Sequence, residues 1–421
     1  MLRPMPLKFG VGFTTSDPAS LKDLDLSGYR CETIGTHTNC HATAANWAWP
    51  NKIKIPATKF VIDGFSPNLN KSLHVGHLRN LAIANSLSKI LTVQEGRRAE
   101  TCDYNTKFVA MLGASLGVKK FALDGWRYWT RFLGYKPEEY FDIALPDDIV
   151  ETREYYKTDN FVEEDGTPEE PCQAWDGPYG AVIVKRSDGR SLYTFHDLTF
   201  AAYVGPTHYI TGHEQKEHFM SLGLGDKHLP MGLVLGEDNK KLKSRTGDAL
   251  PAAEVMDMLI SRLDGELDVK TKLAWNILAW NFLHTTREKN LKFDVESWTR
   301  PDQGGLYISY TYARATAALG KRNQTLTKLY REQMLTQFTD LDVSLLGFAE
   351  QYRFYYQEAV NRLDSAPIAN FAFDLAKLIS QAYEKEKVNG GRRSFSQSFE
   401  HATWRLEMCM RDLGMFRLYE V

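Results

Sequence analysis

Two histidines three residues apart, in the run His74-Val75-Gly76-His77, are the most chemically suggestive residues of the 421-residue chain. They follow a strand-like apolar run, Phe60-Val61-Ile62-Asp63-Gly64-Phe65, and a loop-forming Ser66-Pro67-Asn68. They open a segment, Leu78 to Leu91, whose apolar residues recur near helical spacing while Arg79, Asn80, Asn85 and Lys89 fall between them. A helix N-terminus offers unpaired N–H groups and a positive dipole end, so a triphosphate can settle there. Two imidazoles can then hydrogen-bond its oxygens as charge develops at the α-phosphorus, and Gly76 has no Cβ to block a close-packed adenine. Alone, the same spacing also reads as an inert surface pair or as two metal ligands on one helix face.

Tyr193 and Asp197 are four apart and would share one side of a helix. The carboxylate can take two N–H bonds from a planar guanidinium, and the tyrosine supplies a hydroxyl and a ring face. The same pair also occurs on ordinary helix faces. Lys240, Lys241, Lys243 and Arg245 make a basic loop that meets phosphates or is simply solvated. Cys31, His37, Cys40 and His41 hold four possible zinc ligands, but their spacing matches no common finger, and no metal is expected.

The elements that must position these groups read as two kinds. Residues 59–250 carry strand and helix signals in alternation, with Ala181 to Val184, Tyr209 to Gly212 and Leu233 to Gly236 as further core strands of a doubly wound parallel sheet. A connecting insertion spans about 118–180. Residues 251–421 change to long amphipathic segments, 251–292, 307–332, 340–363, 367–387 and 396–413, with almost no strand signal: a helical bundle. Residues 1–58 show no sustained periodicity and read as a short irregular region. The expected fold is therefore a Rossmann-type α/β domain followed by an all-α domain.

The net charge of −2 excludes a global electrostatic attraction to nucleic acid, so any RNA contact must come from local basic patches. Five scattered cysteines fit a reducing compartment better than a disulfide scaffold, and no stretch has the apolar length of a signal peptide or a membrane span. A cytoplasmic chain without a membrane contact is expected.

His74 to His77 resembles the HIGH signature of class I aminoacyl-tRNA synthetases, and its flanks narrow the resemblance. Ser66-Pro67-Asn68, Lys71, the HxGH element and Leu78-Arg79 are similar to the arginyl enzymes' SPNxxKxxHVGHLR pattern. Gly232 to Asp248, GLVLGEDNKKLKSRTGD, is similar to their GLVLGEDGKKxKTRSGD segment, in the place of the KMSKS loop. Ser187 to Leu198 resembles their SDGxxLYxTxDL stretch, and Gly212 to Phe219 their GxEQxxHF segment. Asp103 to Phe108 stands where the family has DWGTQF, but Tyr104, Asn105 and Lys107 depart from it and no role is assigned to them. Weaker likenesses, Gly305 to Ala315 and Ala366 to Ala376, lie in the region of the family's anticodon-binding bundle.

The resemblance implies an arginine–tRNA ligase that uses ATP with Mg2+, L-arginine and tRNA(Arg), and acts as a monomer. His74 and His77 would be catalytic, with Lys71 as the phosphate lysine, because Ser244 occupies the slot of the second KMSKS lysine. Gly76, Lys241, Lys243, Ser244 and Arg245 would bind ATP. Tyr193 and Asp197 would hold the guanidinium, and Ser66, Asn68 and Gln215 the other end of arginine. In the bundle, Tyr307, Tyr310 and Tyr383 are candidates for stacking on unpaired bases, and Arg392 and Arg393 for phosphates, although aromatic stripes are more often core. The short insertion implies no editing site. Only 58 residues precede the first strand, fewer than the family's usual N-terminal domain. Two alternatives follow: an arginine-adenylating paralogue with another acceptor, or a catalytically silent RNA-binding regulator.

Overall fold

The computed structural model describes residues 3–4, 12–22, 26, 29–42, 60–65, 73–92, 99–103, 128, 131–133, 138–139, 153–155, 172–185, 192, 194–195, 197–198, 201, 207–236, 250–320, 338–388 and 393–419. The first of these form a four-stranded antiparallel sheet of β1 (Arg3–Pro4), β2 (Gly12–Thr15), β3 (Tyr29–Ile34) and β4 (His37–Ala42), in the order β1-β2-β4-β3. The region is not irregular, as its lack of periodicity suggests. Its strands are short, polar and rich in Thr, β3 is exposed over most of its length, and two of the buried positions on β2 and β4, Thr15 and Thr38, are polar, so the buried face leaves no apolar alternation in the sequence.

Cys31 and Cys40 pair directly across β3 and β4 and are joined by a disulfide. Scattered spacing hides such a bond, because strand register and not sequence separation brings the two sulfurs together. The bond also occupies both cysteines of the suggested metal cluster.

The five-stranded sheet begins at β5 (Phe60–Asp63), whose Val61 and Ile62 are buried. The chain runs through α1 (Val75–Thr92) to β6 (Ala99–Asp103) and β7 (Glu138–Glu139) on one side of β5. A separate antiparallel sheet follows, of β8 (Arg153–Tyr155), β9 (Cys172–Gly177) and β10 (Gly180–Lys185). The chain then returns to the other side of β5 with β11 (Thr207–Gly212), α2 (Lys216–Ser221) and β12 (His228–Met231). The order β12-β11-β5-β6-β7 is parallel throughout, so the winding direction reverses between β5 and β11.

Of the three further strands expected in this sheet, only Tyr209 to Gly212 lies in it, within β11. Ala181 to Val184 belongs to the β9–β10 hairpin. Leu233 to Gly236 contains β13 (Val234–Leu235), which pairs in parallel with β14 (Leu291–Lys292) outside the main sheet.

The helices after residue 250 are α3 (Ala252–Ile260), α4 (Leu267–Leu283), α5 (Val295–Trp298), α6 (Gly304–Leu319), α7 (Asp340–Glu350), α8 (Tyr352–Arg362), α9 (Ala366–Lys385) and α10 (Arg393–Asp412). None of the described helices is long and apolar enough to cross a membrane. α1 is buried on nearly every side, between the sheet and this bundle, so Arg79 and Asn85 are inside and not on a solvated face. Their polar atoms need partners there, and those of Arg79 reach the active-site region.

Candidate active site

A parallel sheet with reversed winding opens a crevice at the carboxyl ends of the strands flanking the reversal. β5 and β11 are those strands, held in register by Thr207 opposite Val61 and Tyr209 opposite Asp63. The chain leaving β5 reaches His74 and α1, and the chain leaving β11 turns at His213 to Gln215 into α2. Asn80 of α1 donates from Nδ2 to the Ile210 carbonyl at 3.2 Å, tying the helix to β11.

The two imidazoles stack, with ring centroids 3.8 Å apart and planes 19° from parallel. His74 N–H donates to His77 Nδ1 at 3.1 Å, and Gly76 N–H donates to His74 Nδ1 at 3.1 Å. Both rings are thus folded over the first turn of α1, and both are partly exposed. A Cβ on Gly76 would lie 3.0 Å from Cε1 and 3.1 Å from Nδ1 of His74, closer than ordinary contact. A side chain at Gly76 would therefore require the His74 ring to shift by a few tenths of an ångström.

The start of α1 is bonded to the chain that follows the basic loop. Val75 N–H donates to the Leu250 carbonyl at 3.0 Å, and Ala252 N–H donates to the Leu73 carbonyl at 2.9 Å. The entry to the same loop is anchored from inside α1. The fully buried Arg79 guanidinium donates to the carbonyls of Gly232 at 2.6 Å, Arg287 at 3.2 Å and Lys289 at 2.9 Å. Burial pulls Arg79 down to about 10, against the charge of Asp364, so it remains cationic at neutral pH. Gly232 sits so close to the turn at 287–289 that a Cβ would come within 2.4 Å of the Lys289 backbone. Gly232, before residues 237–249, and Leu250, after them, are therefore both bonded to the first two turns of α1 or the residue preceding it.

On the β11 side, Asp197 lies in a helical stretch and its Oδ2 is 2.6 Å from His218 Nε2 of α2. The two side chains are mostly covered, at 19% and 27% exposure. Burial raises the Asp197 carboxyl, and the hydrogen bond and charge of His218 act in the opposite direction. Phe219 is buried behind them, packed between Tyr209 and His228. Gln215 is exposed at the turn after β11.

Of the residues expected from sequence, the structure places His74, Gly76 and His77 together at α1, Gln215 beyond β11, and Asp197 against α2. Ser66, Asn68, Lys71, Tyr193, Lys241, Lys243, Ser244 and Arg245 lie outside the described residues, as do Tyr104, Asn105, Lys107 and Arg392. Arg79 and His218 stood in quoted motifs without a role. The spacing of a motif does not reveal a partner 153 or 21 residues away. A cavity of about 390 Å³ lined by Trp280, His284, Trp298 and Gly304 holds none of the expected residues.

The carboxyl-terminal region, residues 308–411, matches the DALR anticodon binding domain family. The chain is 24% identical over 415 residues to an arginine–tRNA ligase of Latilactobacillus sakei, covering 78% of this chain and 73% of that protein. In fold it is similar to the arginyl-tRNA synthetase of Thermus thermophilus, with a TM-score of 0.67 at 16% identity over 94% of this chain and 89% of the other. It is likewise similar to that of Plasmodium falciparum, with a TM-score of 0.69 at 13% identity over 100% and 95% of the two chains.

Proposed function

We propose, for a chain that belongs to the arginyl-tRNA synthetase family, that it activates L-arginine with ATP and transfers the arginyl group to the 3′ end of tRNA(Arg). An arginine carboxylate oxygen attacks the α-phosphorus of ATP, arginyl-adenylate forms and pyrophosphate leaves. A ribose hydroxyl of the terminal tRNA nucleotide then attacks the acyl carbon, and AMP leaves. Neither step needs a covalent enzyme intermediate, so the protein acts by positioning and by charge stabilisation.

The observation that supports this reading is the pair of backbone bonds joining Leu73 and Val75 to Leu250 and Ala252. They bring the stacked His74 and His77 beside Leu250 and Ala252, which follow the basic segment in sequence, at the crevice where α/β folds bind nucleotides. His74 and His77 would meet the phosphate oxygens at the dipole end of α1, and Lys71, Lys241, Lys243, Ser244 and Arg245 would add charge and donors to the triphosphate and its Mg2+. The groups suit an anion: both Nδ1 atoms accept backbone N–H bonds, so each neutral imidazole carries its proton on Nε2, at the positive dipole end of α1. Asp197, with Tyr193, would take the guanidinium, while Ser66, Asn68 and Gln215 would hold the amino and carboxylate groups. A directional guanidinium contact rejects other amino acids without proofreading.

Arginine-dependent exchange of pyrophosphate into ATP, measured with and without tRNA(Arg), tests the proposal together with charging of the tRNA. Exchange and charging are both expected in the presence of tRNA(Arg). Absence of exchange under both conditions overturns the activity, and exchange without charging of any tRNA moves the acceptor elsewhere.

A further inference from the structure

Asp197 and His218 stand in different elements, one in the helical stretch after β10 and the other in α2, yet they meet at 2.6 Å. A carboxylate has two oxygens and about four lone-pair directions. A guanidinium reads it through parallel N–H bonds, so the angle of the carboxylate plane matters as much as its charge. Left alone, a mostly covered aspartate can rotate, and in an environment of low polarity it favours its neutral form.

We propose that His218 is a positioning residue for substrate selection: its Nε2–H fixes the Asp197 carboxylate through Oδ2 and leaves Oδ1 to face the substrate guanidinium. The proposal rests on the reading of Asp197 as the guanidinium carboxylate. Three observations carry it. The contact is short, and His218 lies in α2 three residues after Gln215, on the chain that leaves β11. His218 is itself held, because its ring meets Phe219 edge-on with centroids 5.3 Å apart, and Phe219 is wedged between Tyr209 and His228. Its backbone is part of α2, where its carbonyl accepts from Ser221 Oγ at 2.7 Å. The imidazole is thus anchored to β11 and β12, and it transmits that rigidity to a side chain that otherwise sits on a separate segment.

The burial of Asp197 adds a second consequence. Burial raises its carboxyl, and His218 is the group that opposes the rise. Removing the imidazole therefore loosens the carboxylate and also weakens its charge. Both effects fall on the binding of a cationic substrate and not on ATP.

The test is a double-mutant cycle on the full chain, with kcat/KM for arginine and KM for ATP measured in tRNA(Arg) charging. His218→Ala is expected to lower kcat/KM for arginine roughly ten- to hundredfold, the scale of a hydrogen bond to a charged group, with KM for ATP within about twofold of the parent chain. His218→Gln, whose amide nitrogen reaches about as far as Nε2 and can donate to the same oxygen, should recover most of the loss. In the cycle, His218→Ala added to Asp197→Asn should cost little beyond Asp197→Asn alone, because the imidazole acts through the carboxylate. Equal losses in arginine and ATP parameters, no rescue by glutamine, or full additivity with Asp197→Asn each overturn the role of His218 and leave Asp197 in place. If Asp197→Asn leaves kcat/KM for arginine unchanged, the guanidinium reading of Asp197 fails, and the role of His218 fails with it.

Discussion

Gly76 separates function from stability at a single position. Alanine is favoured over glycine by roughly 0.5–1 kcal/mol in a helix interior and by less in the first turn, where Gly76 stands, so Gly76→Ala should on propensity alone stabilise α1 slightly. The added methyl, however, falls 3.0 Å from the His74 ring, and that ring is stacked on His77. The ring must tilt away, breaking the acceptor geometry that holds the Gly76 N–H at 3.1 Å. Gly76→Ala is expected to change the melting temperature by less than about 3 °C while raising KM for ATP or lowering kcat at least about tenfold. Thermal melts and exchange kinetics on one preparation check this; an alanine variant with parental kinetics shows that the stacked arrangement does not matter to the reaction.

At the scale of elements, Arg79 decides how α1 and the basic segment are held together. Its three bonds cross from the middle of α1 to the β12–β13 turn and to residues 287–289, and Gly232 N–H returns a bond to the Arg287 carbonyl at 2.9 Å. Arg79→Met takes the side-chain donor from the Gly232 and Lys289 carbonyls, while the Arg287 carbonyl keeps the Gly232 N–H, a cost of about 2 kcal/mol. Arg79→Lys keeps the charge but not the fork, so it should recover only part of that. Urea unfolding is expected to rank parent, lysine and methionine in that order. In the folded fraction KM for ATP should rise while KM for arginine stays near its parental value. A parallel rise in both would place Arg79 outside the coupling of these two elements.

The same elements explain what the sequence made legible. β5 and α1 were readable because Phe60 to Ile62 is an unbroken apolar run and because leucines and alanines recur along α1. β12 is four residues containing Pro230, and β6 alternates charged with small residues, so neither announces a core strand. Ala181 to Val184 is as apolar as a buried parallel strand, but a Pro178-Tyr179 turn folds it back on β9, where its outer residues stay exposed. At the site, short motifs on one element could be read directly. Contacts such as Asp197 with His218 depend on how separate strands register, which no local pattern records.

The whole molecule is tied together by one core that runs from Ile62 in the sheet to Leu418 beyond α10. Ser86 of α1 bonds Ser365 and the Asp412 carbonyl, each at 2.7 Å, Tyr356 reaches the Ile90 carbonyl, and Trp275 Nε1 donates to the Gly414 carbonyl at 2.9 Å. The amino-terminal sheet joins the same body, with Phe354 of α8 packed on Phe13 and Cys40. Glu350, at the end of α7, lies where these parts meet. Its carboxylate accepts from His401 at 3.0 Å and from Arg405 at 2.5 Å, while its charge and burial together push the Tyr29 hydroxyl up to about 12, burial contributing most. For Glu350 burial acts to raise the carboxyl, but the His401 bond and the charges of Arg405, His401 and Arg353 outweigh it and hold it down at about 2. A folded-state value below the ordinary 4.5 means that the unfolded chain binds the proton first as pH falls. The stability this group contributes is therefore complete above about pH 4.5 and is lost as pH approaches 2. Glu350→Gln, which leaves the buried Arg405 without its counter-charge, should cost roughly 3 kcal/mol at pH 7, and the deficit relative to the parent chain should shrink on going to pH 3. Urea midpoints at the two pH values measure it. A deficit that stays constant with pH would mean that the loss comes from packing and not from the carboxylate charge.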